Sequence, residues 1–223
     1  MPAPDVRKVA LVNTTINVPK CLETYLENAA RHGHARRVSL IVAGDRKTPA
    51  EAGAFLAEIG RKYGVAVKYL DAAAQQALMR RWPALDIVVR WNCIQRRNVA
   101  YLQAALDGAE VIVSIDDDNF ISSEADYVGL HSVVGTQADV PVVAHASGWW
   151  NVCSRLECAP ARHFYHRGYP KSRQGFNDTS AEVKKGKVKV CVNAGLWLKH
   201  PDVDATANLE GPLNVVSVRD VAG

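Results

Sequence analysis

Short apolar runs alternate with helical segments through the first half of this chain, and this alternation restricts its fold more than any other feature. The apolar runs predict buried strands at residues 9–13, 38–43, 65–70 and 111–115. The segments between them have apolar residues at helical spacing, which predicts helices at residues 19–33, 48–63 and 96–106. Strands that alternate with helices form a mostly parallel sheet with helices on both faces. We therefore predict an α/β, Rossmann-like fold.

Capping residues predict where the second of these helices begins and ends. Thr48 is a favourable N-cap, and Pro49 after it is common in the first turn of a helix. Gly64 follows Tyr63 and is a typical residue just beyond a helix end. We expect a helix that begins near Thr48 and ends at about Tyr63.

The pattern is looser beyond Tyr127. We predict short strands at residues 140–144 and 188–192. Residues 159–189 are rich in Arg, Lys, Gly and Pro, and we predict long loops with little regular structure there. The C-terminal part of the chain is therefore expected to be loop-rich.

Composition excludes several classes of protein. The chain has 223 residues and a net charge of +4, which is too small and too dispersed to predict a nucleic-acid partner. No apolar run approaches the ~20 residues that span a bilayer, so we expect no membrane span. The five cysteines are an odd number and do not form a closed disulfide set. We expect a reduced, cytoplasmic protein.

Three consecutive aspartates, Asp116, Asp117 and Asp118, directly follow the last predicted strand. Parallel strands of this fold class bind ligands beyond their carboxyl ends, where Thr15 and Asp45 are also expected. In an extended chain Asp116 and Asp118 point to the same side, where they could share one divalent cation that cancels their repulsion. The alternative is a solvated acidic turn.

Arg96 and Arg97 open the helix that precedes the acidic strand. A helix N-terminus with guanidinium groups is a good site for a diphosphate. The alternative is a surface pair on an amphipathic helix. The two common phosphate-binding glycine motifs and the G-x-S-x-G nucleophile motif are absent from the sequence.

A zinc site is a second metal hypothesis. Its ligands would be Cys153, Cys158, His163 and His166. The C-x4-C spacing is at the wide edge of zinc loops, and H-x2-H is tighter than usual. Buried free thiols and surface histidines are the simpler explanation.

The strand-end pattern of the first half resembles the nucleotide-binding half of GT-A glycosyltransferases. The resemblance lies in V-x-x-T, a strand-end Asp45, R-R-N-x-A and V-I-V-S-I-D-D-D. It implies that Asp116 and Asp118 hold a manganese or magnesium ion (Mn2+ or Mg2+) on the diphosphate of a nucleotide sugar. It also implies nucleotide-binding roles for Thr15, Asp45, Arg97, Asn98 and Asp117.

Two later segments resemble the reversibly glycosylated polypeptides, which include the UDP-arabinopyranose mutases. These segments are HRGYPKSRQG at residues 166–175 and NAGLWLKHPDVDATANLEGPL at residues 193–213. The resemblance implies that Arg167 carries or orients a sugar, with Arg173 as the second arginine of the motif. Arg173 follows one residue earlier than the family pattern has it. Asp202 and Asp204 are candidates for a general base or for a structural turn.

The resemblance implies a single GT-A domain over residues 1–223, with a nucleotide-binding part to about residue 125 and a sugar and acceptor part from about 126. The family continues beyond the position of Gly223, so we expect a fragment or a shortened active site. The expected function is metal-dependent, glycosyltransferase-like handling of a UDP-sugar, with an unknown acceptor. The alternatives are a UDP-pentose pyranose–furanose mutase and a non-catalytic nucleotide-sugar-binding protein in a homo- or hetero-oligomer. A metal-dependent phosphatase is a more distant alternative.

Overall fold

The computed structural model of the protein describes residues 7–121, 124–175, 182–194 and 203–219. The chain divides into two compact units, Met1–Gly135 and Thr136–Gly223, and each is described by itself. The single-domain prediction and its division near residue 125 stay predictions. In the described ranges, no helix is both long enough and apolar enough to cross a membrane.

The first unit contains a four-stranded sheet in which all neighbouring strands run parallel. Its strands are β1 (Val9–Thr15), β2 (Val38–Gly44), β3 (Ala66–Leu70) and β4 (Val111–Ser114), in the order β3-β2-β1-β4. Val9 pairs with Val38 on one side and with Val111 on the other, so the central strands begin in register. The predicted mixed α/β fold with a parallel sheet is confirmed.

Helices cover both faces of this sheet. They are α1 (Leu22–Arg31), α2 (Glu51–Tyr63), α3 (Ala72–Met79), α4 (Pro83–Val88), α5 (Arg97–Leu106) and α6 (Tyr127–His131), with a 3-10 turn at Ile94–Arg96. Successive strand residues point to opposite faces. Leu11 therefore packs in the core with α1 and α2, and Val12 packs in the core with α5. Burial on both faces explains why these strands are continuous apolar runs.

The predicted cap of α2 is wrong at its first residue. The helix begins at Glu51, and its N-cap residue Ala50 makes no side-chain cap. Thr48 instead donates its hydroxyl to the carbonyl of Thr15 at 2.6 Å and accepts the backbone N–H of Asp45 at 2.6 Å. Thr48 thus connects the carboxyl ends of β1 and β2. The predicted helix end is confirmed, since Gly64 has a left-handed φ of 67°.

The second unit contains two separate pairs of antiparallel strands. β5 (Gln137–Ala144) pairs with β7 (Glu182–Lys189), and β6 (Leu156–Cys158) pairs with β8 (Val215–Val218). The helix α7 (Ala205–Leu209) belongs to this unit, as do 3-10 turns at Val152–Arg155 and Lys171–Arg173. Its core residues are Cys153, Leu156, Phe164, Val203, Ala207, Leu213 and Val215.

The prediction of loops throughout residues 159–189 is wrong for Glu182–Lys189, which form the whole of β7. The predicted strand at residues 188–192 overlaps β7 only at its end, because the strand stops at Lys189. Nearly all of β7 is exposed, and lysines occupy half of its positions. An exposed strand needs no apolar alternation, so the usual sequence pattern of a strand is missing.

Candidate functional site

The carboxyl ends of β1, β2 and β4 bring the predicted polar residues of the first unit to one edge of the sheet. Thr15 ends β1, Asp45 directly follows β2, and Asp116 lies just beyond β4. The hydroxyl of Thr15 donates to Oδ2 of Asp117 at 2.6 Å, which joins the end of β1 directly to the acidic segment. Ligands of parallel α/β sheets bind at this edge.

The three aspartates occupy three different environments. Asp116 forms an ion pair with Arg97, and its side chain is 52% exposed. Asp117 is half-buried and accepts the Thr15 hydrogen bond. Asp118 is exposed and makes no hydrogen bond to any residue that the structure describes. The guanidinium of Arg97, the hydroxyl of Thr15 and exposure to solvent reduce the repulsion among the three carboxylates.

The backbone turns at Asp117 and Asp118 instead of staying extended. The prediction that Asp116 and Asp118 point to the same side assumes that the chain is extended there. That assumption is wrong. The metal-binding roles of Asp116 and Asp118 stay predictions. Beneath the turn, burial and, to a smaller extent, the neighbouring Asp117 and Asp118 together raise the pKa of the Cys21 thiol to about 11. Cys21 is therefore a neutral thiol at pH 7.

Arg97 is held in place beside Asp116 by the hydroxyl of Ser114. Its Nη1 donates to Oγ of Ser114 at 3.0 Å, and Tyr101 donates to the same oxygen at 2.7 Å. Only 14% of the Arg97 side chain is exposed, and its buried Nε has no hydrogen-bond partner in the described part of the chain. The guanidinium is thus fixed at the site before any ligand arrives.

Arg96 has a different role from the one that its sequence position suggests. It is fully buried, donates from Nε to Gln75 at 2.6 Å, and donates from Nη1 to the carbonyl of Val89 at 2.8 Å. Burial lowers the pKa of Arg96, although nearby carboxylates oppose that shift. Both earlier hypotheses, a diphosphate ligand and a surface pair, are therefore wrong for Arg96.

Asp45 organises a turn next to the edge. It is 7% exposed, and its carboxylate accepts the backbone N–H groups of Arg46 at 2.6 Å and Asn92 at 2.8 Å. Asn92 has a left-handed φ of 56°, which asparagine tolerates better than most residues. The adjacent Trp91 lies against two guanidinium groups, with ring centroid distances of 4.9 Å to Arg46 and 3.5 Å to Arg96.

Sequence reasoning missed Trp91 and Asn92. Neither belongs to a predicted helix or strand, and nothing in the segment R-W-N-C distinguishes it from an ordinary loop.

Asn98, which we predict to bind nucleotide, donates its side-chain amide to the carbonyl of Gln95 at 2.9 Å and is exposed. Its nucleotide-binding role stays a prediction.

In the second unit, Arg167 and Arg173 are both exposed. Arg167 lies in a turn with Gly168, whose φ is 83°, and Arg173 ends the 3-10 turn at Lys171–Arg173. On either side of Arg167, the rings of Tyr165 and Tyr169 are buried and stacked with centroids 4.9 Å apart. The turn is therefore anchored by aromatic packing while the Arg167 side chain faces solvent.

Asp204 has a structural role. One of its carboxylate oxygens accepts the N–H of Ala207 at 2.8 Å in α7, and the other accepts Nε2 of Gln174 at 3.2 Å. The structural-turn alternative therefore accounts for Asp204. Asp202 and the G-L-W-L segment at residues 195–198 lie outside the described residues.

The zinc hypothesis is wrong. Across the described ranges, no three His, Cys, Asp or Glu side chains are grouped closely enough to hold a metal ion. Burial raises the pKa of the Cys153 thiol to about 12, which opposes formation of the thiolate that zinc needs. Cys153 instead packs in the core of the second unit.

A scan against models of protein families gave no match, and a search of curated proteins gave none either.

Proposed function

We propose that the carboxyl edge of the first unit binds the diphosphate of a nucleotide sugar and that the chain is a metal-dependent, glycosyltransferase-like enzyme acting on a UDP-sugar. The observation that carries this proposal is the contact between Arg97 and Asp116 at the end of a parallel strand. A fixed guanidinium next to two exposed carboxylates can bind anionic phosphate and a cation side by side.

The donor set at this edge suits a hard divalent cation. Mg2+ and Mn2+ prefer oxygen ligands, and Mg2+ is commonly held by one or two carboxylates with phosphate and water completing its shell. Asp116 and Asp118 are exposed carboxylates of this kind. When bound, the ion would neutralise charge on the diphosphate leaving group.

The remaining residues would position the nucleotide. Arg97 would exchange its bond to Asp116 for bonds to phosphate oxygens, since a guanidinium donates in a fork that matches phosphate. Asp117 accepts the Thr15 hydroxyl with one oxygen and has further lone pairs for a ribose hydroxyl. Asp45 and Asn98 would contact the nucleoside.

A UDP-pentose pyranose–furanose mutase is the second candidate. Its support is the exposed position of Arg167 on a turn anchored by buried tyrosines. Cleavage at the anomeric carbon with UDP retained would let the sugar ring open and close in the other size before recombination. A guanidinium stays protonated and is a poor nucleophile, so Arg167, helped by Arg173, would orient the sugar.

Calorimetric titration of UDP into the full chain tests the proposal, first with Mn2+ and then with excess chelator. We expect binding that the chelator abolishes. Equal binding in both conditions would contradict the metal assignment, and no binding in either would contradict the nucleotide assignment. Product analysis with UDP-sugars then separates transfer from ring interconversion. Binding without any product would favour a non-catalytic partner in an oligomer.

A further inference from the structure

The strand pair β5 and β7 in the second unit leaves two sheet edges open. Its antiparallel register runs from Gln137 opposite Lys189 to Ala144 opposite Glu182. In the described part of the chain, neither strand has a second neighbour, so each exposes backbone groups along one side. Such a row of unpaired N–H and C=O groups is a template on which another strand can add. The two edges differ in how well they can accept one.

The hydrogen bonds between the two strands show which backbone groups face outwards. The N–H of Val190 donates to the carbonyl of Thr136 at 2.9 Å, one position beyond the last pair of the ladder. In an antiparallel pair, every second residue bonds to the partner strand, and the residues between them point the other way. The outward positions of β5 include Asp139 and Pro141. The outward positions of β7 are Val183, Lys185, Lys187 and Lys189.

Pro141 makes the outer edge of β5 a poor template for another strand. Proline has no backbone N–H, so nothing at this position can donate to an added strand. Within sheets proline is confined to positions that face away from the paired strand, which agrees with the outward direction assigned to Pro141. The strand β7 contains no proline, and the N–H groups of Lys185 and Lys187 donate to no acceptor among the described residues. An added strand would therefore pair with β7.

One face of the strand pair is positively charged. Side chains alternate between faces with the same period of two as the backbone groups, so Lys185, Lys187 and Lys189 share a face and follow each other at about 7 Å. All three are exposed, and no carboxylate in the described ranges lies within ion-pairing distance of their ammonium groups. Asp139, opposite Lys187, is the acidic residue that the two strands contribute to this face. The lysines thus leave a positive excess beside the free edge of β7.

The other face of the strand pair is mostly apolar. Lys184 on this face is paired with Glu182 at 2.9 Å, so the two charges cancel. The central residues of this face are half-buried, namely Ala138, Val140, Val142 and Gly186. A strand added to β7 would therefore have lysines beside it on one face and an apolar surface beside it on the other.

We propose that the free edge of β7 binds an extended segment of a partner protein in which acidic and apolar residues alternate. The backbone of this segment would pair with the outward N–H and C=O groups of β7. Its carboxylates would lie opposite Lys185, Lys187 and Lys189, since opposite charges on neighbouring strands attract, and its apolar residues would lie on the other face. Binding of this kind requires neither nucleotide nor metal.

The same charges disfavour two other occupants. If β7 of a second copy added to this edge, lysines would face lysines across the new pair. A nucleic acid would meet the lysines with its phosphates, but it has no row of N–H and C=O groups to pair with the free edge. The edge and the charges together therefore favour an acidic peptide strand.

Fluorescence anisotropy of a labelled peptide, titrated with the full chain at low salt, tests the proposal. The probe has alternating Glu and Val over eight residues, the length of β7. We expect saturable binding that added salt weakens. A peptide of the same composition in which all Glu precede all Val, and a peptide with Lys in place of Glu, should both bind much more weakly. Absence of saturable binding by the alternating peptide would refute the proposal.

Two substitutions at one position separate charge from backbone pairing. Lys187→Gln keeps the outward N–H, and we expect it to weaken binding by about threefold. Lys187→Pro also removes the N–H, and we expect a loss of at least about tenfold. The proline should be tolerated because this N–H points away from β5. Lys184→Gln is the matched control on the other face, where Glu182 already neutralises the lysine, and should cost less than about twofold.

Three comparisons can overturn the proposal. Equal losses in Lys184→Gln and Lys187→Gln would mean that net charge alone is sensed. Equal binding of the alternating peptide and the peptide with separated Glu and Val would mean that no strand is added. Tighter binding of a single-stranded oligonucleotide of the same charge would assign the surface to nucleic acid. If circular dichroism showed that Lys187→Pro misfolds, an alternating peptide with N-methyl groups along its pairing edge would replace that variant, with the same expected loss.

Discussion

The guanidinium of Arg97, at the first residue of α5, forms an ion pair with Asp116 just beyond the end of β4. Because Ser114 accepts a hydrogen bond from this guanidinium and is itself held by the hydroxyl of Tyr101, this cation is part of the protein at rest. Arg97 thus neutralises one of three neighbouring carboxylates before any ligand binds. A cation that bound Asp116 would have to compete with it.

Replacing Arg97 should separate metal binding from diphosphate binding. In Arg97→Ala, Asp116 loses its positive partner, so we expect Mn2+ alone to bind severalfold more tightly than to the parent chain. UDP in saturating Mn2+ should bind more weakly, because a phosphate-binding guanidinium is missing. Calorimetry measures both affinities. Arg61→Ala, on an exposed face of α2, is the control and should change neither.

Asp118 is exposed and makes no hydrogen bond in the described part of the chain, which makes it a clean test of the metal assignment. We expect Asp118→Asn to abolish cation-dependent UDP binding while the thermal unfolding temperature stays close to that of the parent, since the side chain is exposed. Glu58→Gln, an exposed acid-to-amide change on α2, is the control. Unchanged UDP affinity of Asp118→Asn, with and without Mn2+, would refute the role of Asp118.

Replacing Arg167 tests the proposed handling of the sugar, which depends on the second unit. We expect Arg167→Ala to retain UDP binding but to lose conversion or transfer of the sugar, measured by chromatography of the nucleotide-sugar products. Lys171→Ala is the control, because Lys171 is a nearby exposed cation in the same loop region. Full activity of Arg167→Ala would show that the sugar-handling role implied by the resemblance does not apply to this arginine.

Arg96 should matter for stability far more than Arg97 does. In Arg96→Ala, the side chain of Gln75 and the carbonyl of Val89 lose their donor, and a buried volume is left empty. We expect a loss of about 2 to 4 kcal/mol in the free energy of unfolding, measured with urea. Arg97→Ala, the same change one residue later, should cost less than about 1 kcal/mol. Equal losses would contradict this assignment of roles.

The carboxylate of Asp126 should make a pH-dependent contribution to the free energy of unfolding. Its carboxylate accepts Nε2 of His34 at 2.8 Å and the N–H of Gly129 at 2.8 Å. Burial raises the pKa of Asp126, but the hydrogen bonds from His34 and Gly129 outweigh it and leave the pKa lowered. A lowered pKa means that the ionised form stabilises the fold above the unfolded pKa of about 3.9 and that this contribution is lost as the pH falls through the folded value.

The variant Asp126→Asn isolates this effect, because asparagine can still cap α6. We expect urea unfolding to show a less stable variant at pH 7, and the difference from the parent should shrink as the pH falls below about 4. Glu58→Gln provides the baseline for titration of an exposed carboxyl group. A difference that stayed constant from pH 7 to pH 3 would contradict the assignment.

The parallel sheet could be predicted from the sequence because its central strands are buried on both faces. Their continuous apolar runs, and glycines such as Gly64 in left-handed conformation, are local features that a sequence displays directly. The strand β7 could not be predicted this way. Its stability comes from backbone pairing with β5, a distant segment, while its own side chains are mostly solvated.

The candidate site could be predicted in position but not in its internal contacts. Strand ends of a parallel sheet share an edge, so Thr15, Asp45 and the aspartates could be placed together from their positions alone. The burial of Arg96 depends on Gln75, which comes from a helix for which the sequence analysis made no prediction. Residues that come into contact only when the chain folds cannot be identified from the spacing of residues within one sequence motif.

The strand that leads to the aspartates has a further property. In the described part of the chain, β4 is the last strand on its side of the sheet, and Ile112 on it is 40% exposed. An apolar edge strand is a template on which another molecule can add a strand and start aggregation. Consecutive carboxylates directly after such a strand act as gatekeepers against that addition. We therefore expect the same acidic segment to oppose aggregation at this edge, a reason to retain its charges even where no ligand is bound.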